Sequence, residues 1–293
     1  MKWTRGQGPS GDVIDRRGAR VGGTAAKVGG GGAILAIIVA LIAQAAGVEL
    51  PFLGGSSGTT GAGSPLGDGV GGNEPAAPID PAADPDRELV AFIDFTMKDI
   101  QDTFTSLLPS YRRAKLVIFT SAIDTGCGRS SSAIGPFYCP PDERAYIDLS
   151  FYRELRERFG APGDFAQAYV LAHEVGHHLQ NLLGADERVR RETARDRRRE
   201  NELSVRLELQ ADCYAGVWGH HAGRRELLEG GDVDEAITAA QAIGDDRLQK
   251  QAGARVNPET WTHGSSAQRA KWFRVGMQAG TLEACDTFAP ATP

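Results

Sequence analysis

Residues 171–180 read LAHEVGHHLQ. On a helix, a spacing of four sets His173 and His177 one above the other on the same face, so both imidazoles can reach one metal ion. Glu174 sits one residue round, where it can reach a water at that metal without ligating. The HExxH pattern is therefore a mechanical unit for zinc hydrolysis. Three fixed positions out of five also arise by chance, and Gly176 is a poor helix residue. The rest of the chain has to supply the other parts of such a site.

A catalytic zinc takes three protein ligands and leaves a fourth position to water. The third should lie on a following helix, and Glu208-Leu209-Gln210-Ala211-Asp212 offers it. Glu208 can ligate. Asp212, one turn on, faces the same way and can accept the N–H of a ligand histidine, which fixes the tautomer. An acidic pair four apart is often just solvated, but here Leu203, Val205, Leu207, Leu209, Ala211, Ala215 and Val217 surround it. His178 points about 100° away from the motif's face and is expected not to ligate. His220 and His221 lie well past Glu208 and read as surface residues.

The chain has 293 residues, 37 of them glycine, and a net charge of −6. No basic stripe is interleaved with aromatics, so no nucleic-acid partner is expected. Residues 51–86 are glycine, serine, proline and alanine with few large apolar side chains, which reads as a flexible linker. Before it, residues 28–48 (VGGGGAILAIIVALIAQAAGV) carry no charge, with Ala33–Ala43 the dense apolar part. Lys2, Arg5, Arg16, Arg17, Arg20 and Lys27 outweigh Asp12 and Asp15, so the positive-inside tendency makes residues 1–27 a cytoplasmic segment. A cleaved signal peptide would fit the short core and the Ala43-Gln44-Ala45 triplet. The long segment ahead of the core favours a retained transmembrane signal-anchor. Either way residues 87–293 form a domain outside the cytoplasm, at the cell membrane if the anchor is kept. Four cysteines in that oxidising setting suggest two disulfides. Cys127 and Cys139 would close a short loop, leaving Cys213 for Cys285 by elimination; free buried thiols are the alternative.

Apolar periodicity predicts helices over 86–107, 151–159, 203–221 and 265–279. A further helix runs from Asp164 as N-cap to Leu183 and closes at Gly184, and 232–253 is helical with a break near Gly244. KLVIFTSAI (115–123) and AYIDLS (145–150) read as short strands, and the residues between them as a loop. The mixed-charge run 186–200 reads as a solvated helix face or surface segment. The sum is an α+β fold, mainly helical with a small β-sheet.

Several stretches together resemble the bacterial membrane-anchored neutral zinc metallopeptidase family. They are HEVGHHLQNLLG (173–184), SVRLELQADCYAGVW (204–218), YCPPDERAYIDLSF (138–151), THGSSAQRAKWF (262–273) and the opening MKWTRGQG…VIDRRG. HExxH with ExxxD is also the pattern of gluzincin peptidases, and the later THGSSAQR is similar to a THPxxxxR motif, with Gly264 where that motif has proline. The resemblance implies a zincin-like domain holding one Zn2+ per chain through His173, His177 and Glu208. It makes Glu174 the general base, has Asp212 orient a ligand histidine, and makes His263 a stabiliser of the oxyanion. Arg269 would pair with an active-site carboxylate or organise the start of its helix. The partners implied are a peptide or protein substrate and the membrane through the N-terminal helix; order and composition, separately, have the strand AYIDLS offer the substrate an edge. A non-enzymatic, zinc-stabilised envelope adaptor and hydrolysis of cell-wall peptide crosslinks are the competing readings.

Overall fold

A computed structural model describes residues 1–6, 9–18, 79–80, 83–289 and 293. The apolar stretch 28–48 and most of the linker lie outside the described residues. Among those described, no helix is long and apolar enough to cross a membrane.

The fold is the expected α+β mixture, mainly helical with a small sheet. Four strands line up in the order β1 (Val13–Asp15), β2 (Lys115–Phe119), β6 (Arg144–Asp148), β5 (Phe137–Cys139). The first three are parallel and β5 runs antiparallel to β6. A parallel pair needs a crossover, and α1 (Arg87–Leu107) serves β1 and β2 by laying Phe92, Ile93, Met97, Ile100 and Phe104 into the core. A separate hairpin joins β3 (Ala122–Thr125) to β4 (Gly128–Ser131).

Three expectations need correction. The run 115–123 is not one strand. Ser121 takes a left-handed φ of 66°, held by its N–H donating to Asp148 Oδ2 at 2.7 Å, so the chain turns there into a second sheet. AYIDLS offers no edge to a substrate, because β6 is paired on both sides and β5 is the sheet's end. Nor is the domain confined to 87–293. Residues 13–15 pair in register with Leu116–Ile118, Met1 is buried, and the Trp3 ring meets Phe92 edge-on at 5.5 Å. Residues 1–6 and 9–17 thus belong to the same core as the rest.

Helices α2 (Ser150–Glu157), α3 (Asp164–Leu183), α4 (Ala185–Arg195), α5 (Glu200–Arg224), α6 (Asp232–Ala242), α7 (Asp245–Gln251) and α8 (Ser266–Ala279) complete the domain. Asp164 is the first helical residue of α3, not its cap; Gly163, at φ 118°, takes the cap position. The charge run forms the exposed face of α4. A capping box between Ser265 and Gln268 starts α8. The central helices are α3 and α5, buried along most of their length although both carry polar and charged side chains. Both expected disulfides are present, Cys127–Cys139 and Cys213–Cys285. The second joins α5 to the C-terminal tail.

Helix α8 presses directly on α5. A Cβ on Gly276 would stand 1.9 Å from the Cys213 carbonyl oxygen, and one on Gly216 would stand 2.1 Å from that of Phe273. Neither obstacle is a side-chain tip that could swing away. Gly276→Ala should therefore destabilise the domain by about 3 kcal/mol or more, because the whole helix must move. A urea midpoint equal to that of the parent would refute this.

Candidate metal centre

Gly176, the poor helix former inside HEVGH, has a packing reason. A Cβ there would lie 2.9 Å from Ala211 Cα and 3.0 Å from its carbonyl oxygen. Any side chain would push α5 off α3 where the two must meet. The close crossing brings Glu208 against the histidine pair. His173 Nε2 lies 3.3 Å from Glu208 Oε2, and His177 Nε2 lies 3.6 Å from Glu208 Oε1. Ligand atoms of all three residues fall within 4.8 Å of one another.

The far nitrogens are tied down. His173 Nδ1 lies 2.9 Å from Asp212 Oδ1, and His177 Nδ1 lies 2.9 Å from Gln180 Oε1. The amide of Gln180 cannot be the other way round, because its Nε2 donates to the Leu207 carbonyl at 2.6 Å. Its oxygen therefore faces His177, whose Nδ1 must be the protonated nitrogen. Both rings then turn Nε2 lone pairs toward the same point, the arrangement that outer hydrogen bonds create in zinc sites. Two imidazole nitrogens and a carboxylate are a fitting donor set for zinc.

Asp212 is fully buried and holds three elements together. Its Oδ2 accepts from Arg269 Nε at 2.8 Å, and its Oδ1 accepts from Arg269 Nη2 at 2.9 Å, from His173 and from the Tyr169 hydroxyl. Burial works against its charge, yet the guanidinium and the His173 hydrogen bond outweigh burial and hold the carboxyl below the usual range. Glu208 is similar: burial would raise it, but the imidazoles of His177, His173 and His263 hold it well below. Burial would lower His173, but Asp212 and Glu208 lift it to about 9. The pocket thus draws positive charge, and a divalent cation answers the same demand as a proton.

Glu174 lies beside this cluster, 7% exposed, with its carboxyl raised by burial. Its Oε2 has no protein partner. The Tyr152 hydroxyl is also buried without a partner and feels the charge of Glu174. His263, whose imidazole acts on Glu208, is held by Asp245. That carboxylate takes His263 Nδ1 at 3.0 Å through one oxygen. Through the other it takes the backbone N–H groups of Thr262, His263 and Gly264, at 2.8, 2.7 and 3.0 Å. Gly264 has φ 87°, which a proline ring locked near −65° cannot reach. This turn is therefore built differently from a His-Pro turn.

The remaining histidines lie elsewhere. His178 joins α3 to the sheet, with Nδ1 2.9 Å from the Tyr138 hydroxyl and Nε2 2.5 Å from the Arg112 carbonyl, and does not ligate. His220 and His221 are half-buried, not surface residues, and bond the Met277 and Gly280 carbonyls at the end of α8. Sequence reasoning missed Gln180, Asp245, Tyr169 and Tyr152. Gln180 and Tyr169 left a signal, each one turn along the helix from a motif histidine, His177 and His173.

An HExxH helix crossed by a second helix bearing glutamate and aspartate one turn apart defines the metal centre of a zinc peptidase class. The family described as "Putative neutral zinc metallopeptidase" matches residues 1–288, and the chain belongs to it. The uncharacterized protein YpfJ of Escherichia coli K12 is 43% identical over 298 residues, covering 98% of this chain and 99% of that one. The uncharacterized protein Mb2605 of Mycobacterium bovis is 45% identical over 220 residues, covering 71% of this chain and 74% of its own. No solved structure matches.

Glu208→Ala should lose bound zinc while remaining folded, as read by elemental analysis. Gln180→Leu leaves all three donors in place and should weaken zinc about 10–100-fold, because the His177 ring loses its acceptor. Equal zinc affinity in a chelator competition would remove Gln180 from the site.

Proposed function

We propose that the protein is a zinc-dependent endopeptidase acting on peptide or protein substrates outside the cytoplasm, at the membrane. The convergence of His173 Nε2, His177 Nε2 and the Glu208 carboxylate, with both Nδ1 atoms locked, carries this reading. Two disulfides support an oxidising compartment.

Zinc held by these residues would supply a Lewis acid and bring the pKa of a water toward neutrality. The chain's own groups then divide the work. Glu174, raised by burial and with one oxygen uncommitted, takes the proton of the attacking water and passes it to the leaving amine. His263, whose Nδ1–H is given to Asp245, acts with a second proton on Nε2, which it donates to the oxyanion that develops on the scissile carbonyl. Asp212 and Arg269 do not touch substrate; they hold His173 in one tautomer. Strand β5 ends the sheet but is buried at all three of its residues, so it offers an extended substrate no open edge. That strand is pinned beside the metal helix, since the Tyr138 hydroxyl bonds both His178 and Asn181.

Glu174→Gln should cut peptide hydrolysis by about 10²-fold or more, with zinc content and fold retained. Full activity in that variant would end the peptidase reading and leave an adaptor in its place. His263→Ala should lower kcat by about 10²-fold with little change in bound zinc. Loss of metal instead would make His263 a ligand, not an oxyanion donor.

A further inference from the structure

The chain leaves the described core at Arg17 and returns at Asp84, and these two residues hold each other. Arg17 Nη1 donates to Asp84 Oδ1 at 3.0 Å and to Asp86 Oδ2 at 3.1 Å, and Nη2 reaches Asp84 Oδ2 at 2.5 Å. The Arg17 and Asp84 side chains are each only 8% exposed. Behind this clamp the N-terminal residues are bonded along their length. Asp12 pairs with Arg113, and its carbonyl accepts the Leu116 N–H at 2.8 Å. The Ser10 N–H and hydroxyl both donate to Asp94, the latter at 2.6 Å, and the Lys2 N–H donates to the Leu227 carbonyl at 2.7 Å.

A segment that crosses a bilayer once separates its two ends by about 30 Å of hydrocarbon. Residues that share hydrogen bonds cannot stand on opposite sides of it. Docking of residues 1–6 and 9–17 and a single crossing by residues 28–48 therefore exclude each other. A second crossing has no candidate, because 49–83 contains no long apolar run. The dense apolar part 33–43 is itself short of the roughly 20 residues that a spanning helix needs. Two of the basic residues that a positive-inside count would use, Arg5 and Arg17, are ion-paired within the domain.

We propose that the described parts of 1–17 and of 84–289 fold as one unit on a single side of the membrane, so that the chain between them makes no single crossing. None of these contacts involves the metal-site residues, so the topology stands or falls apart from the peptidase reading.

The test uses the full chain in its host membrane. All four native cysteines are in disulfides, so an introduced cysteine is the one free thiol. Arg5→Cys and Arg153→Cys, both at exposed positions, would be labelled separately in spheroplasts with a membrane-impermeant maleimide, before and after permeabilisation. Equal labelling of the two under each condition is expected. Labelling of one before permeabilisation and of the other only after would overturn the proposal. Ser10→Cys with Asp94→Cys, and a specific protease site inserted after Gly61, tests docking itself. A short bis-maleimide should keep the two fragments of one chain joined after cleavage. Fragments that separate, or that join only between two chains, would overturn it.

Discussion

Asp212 is the constraint around which the domain is organised. A buried carboxylate is costly unless its oxygens are satisfied, and removing one partner of such a pair costs about 3–5 kcal/mol. Here the partners come from different helices: His173 and Tyr169 from α3, Arg269 from α8, with Asp212 itself on α5. Satisfying one charge therefore fixes the relative placement of three helices. The same bonds choose the His173 tautomer, so the interaction that orders the core also prepares the ligand. Gly176, Gly216 and Gly276 let the helices come close enough for those bonds to form.

Two kinds of information were legible in the sequence. Periodicities of three and four gave the helices, and the same periodicity gave His173, His177, Glu208 and Asp212, since each pair lies one turn apart. The even cysteine count pointed to the two disulfides, and short β-branched runs among the helices pointed to the mixed fold. What stayed hidden depends on contacts made at long range or on backbone conformation. The strand at Val13–Asp15 is three residues long and pairs with a partner about a hundred residues away, so no local alternation announces it. Its six basic neighbours suggested a cytoplasmic tail, whereas Arg17 is committed to Asp84. The turn at Ser121 depends on a bond to Asp148, which no pattern around residue 121 contains.

The site was also only half visible. The residues that could bind metal carry distinctive chemistry and announce themselves. Those that orient them do not. Gln180 is an ordinary helical glutamine until its amide is seen fixed by the Leu207 carbonyl. Asp245 reads as the acidic start of a short helix, yet its carboxylate gathers three backbone N–H groups and an imidazole from a turn that follows that helix. Both act through geometry that residue type does not encode.

Arg269 sits on the last long helix of the chain. A ribosome delivers α3 and α5, with both histidines and Glu208, well before it delivers α8. Until then Asp212 has no guanidinium, Gly216 has no helix against it, and Cys213 has no Cys285 to join. The donor set is thus made early, but its geometry is completed only when α8 has followed. A product stalled before α8 would carry the histidines without the framework that aims them, which couples competence of the centre to delivery of that helix.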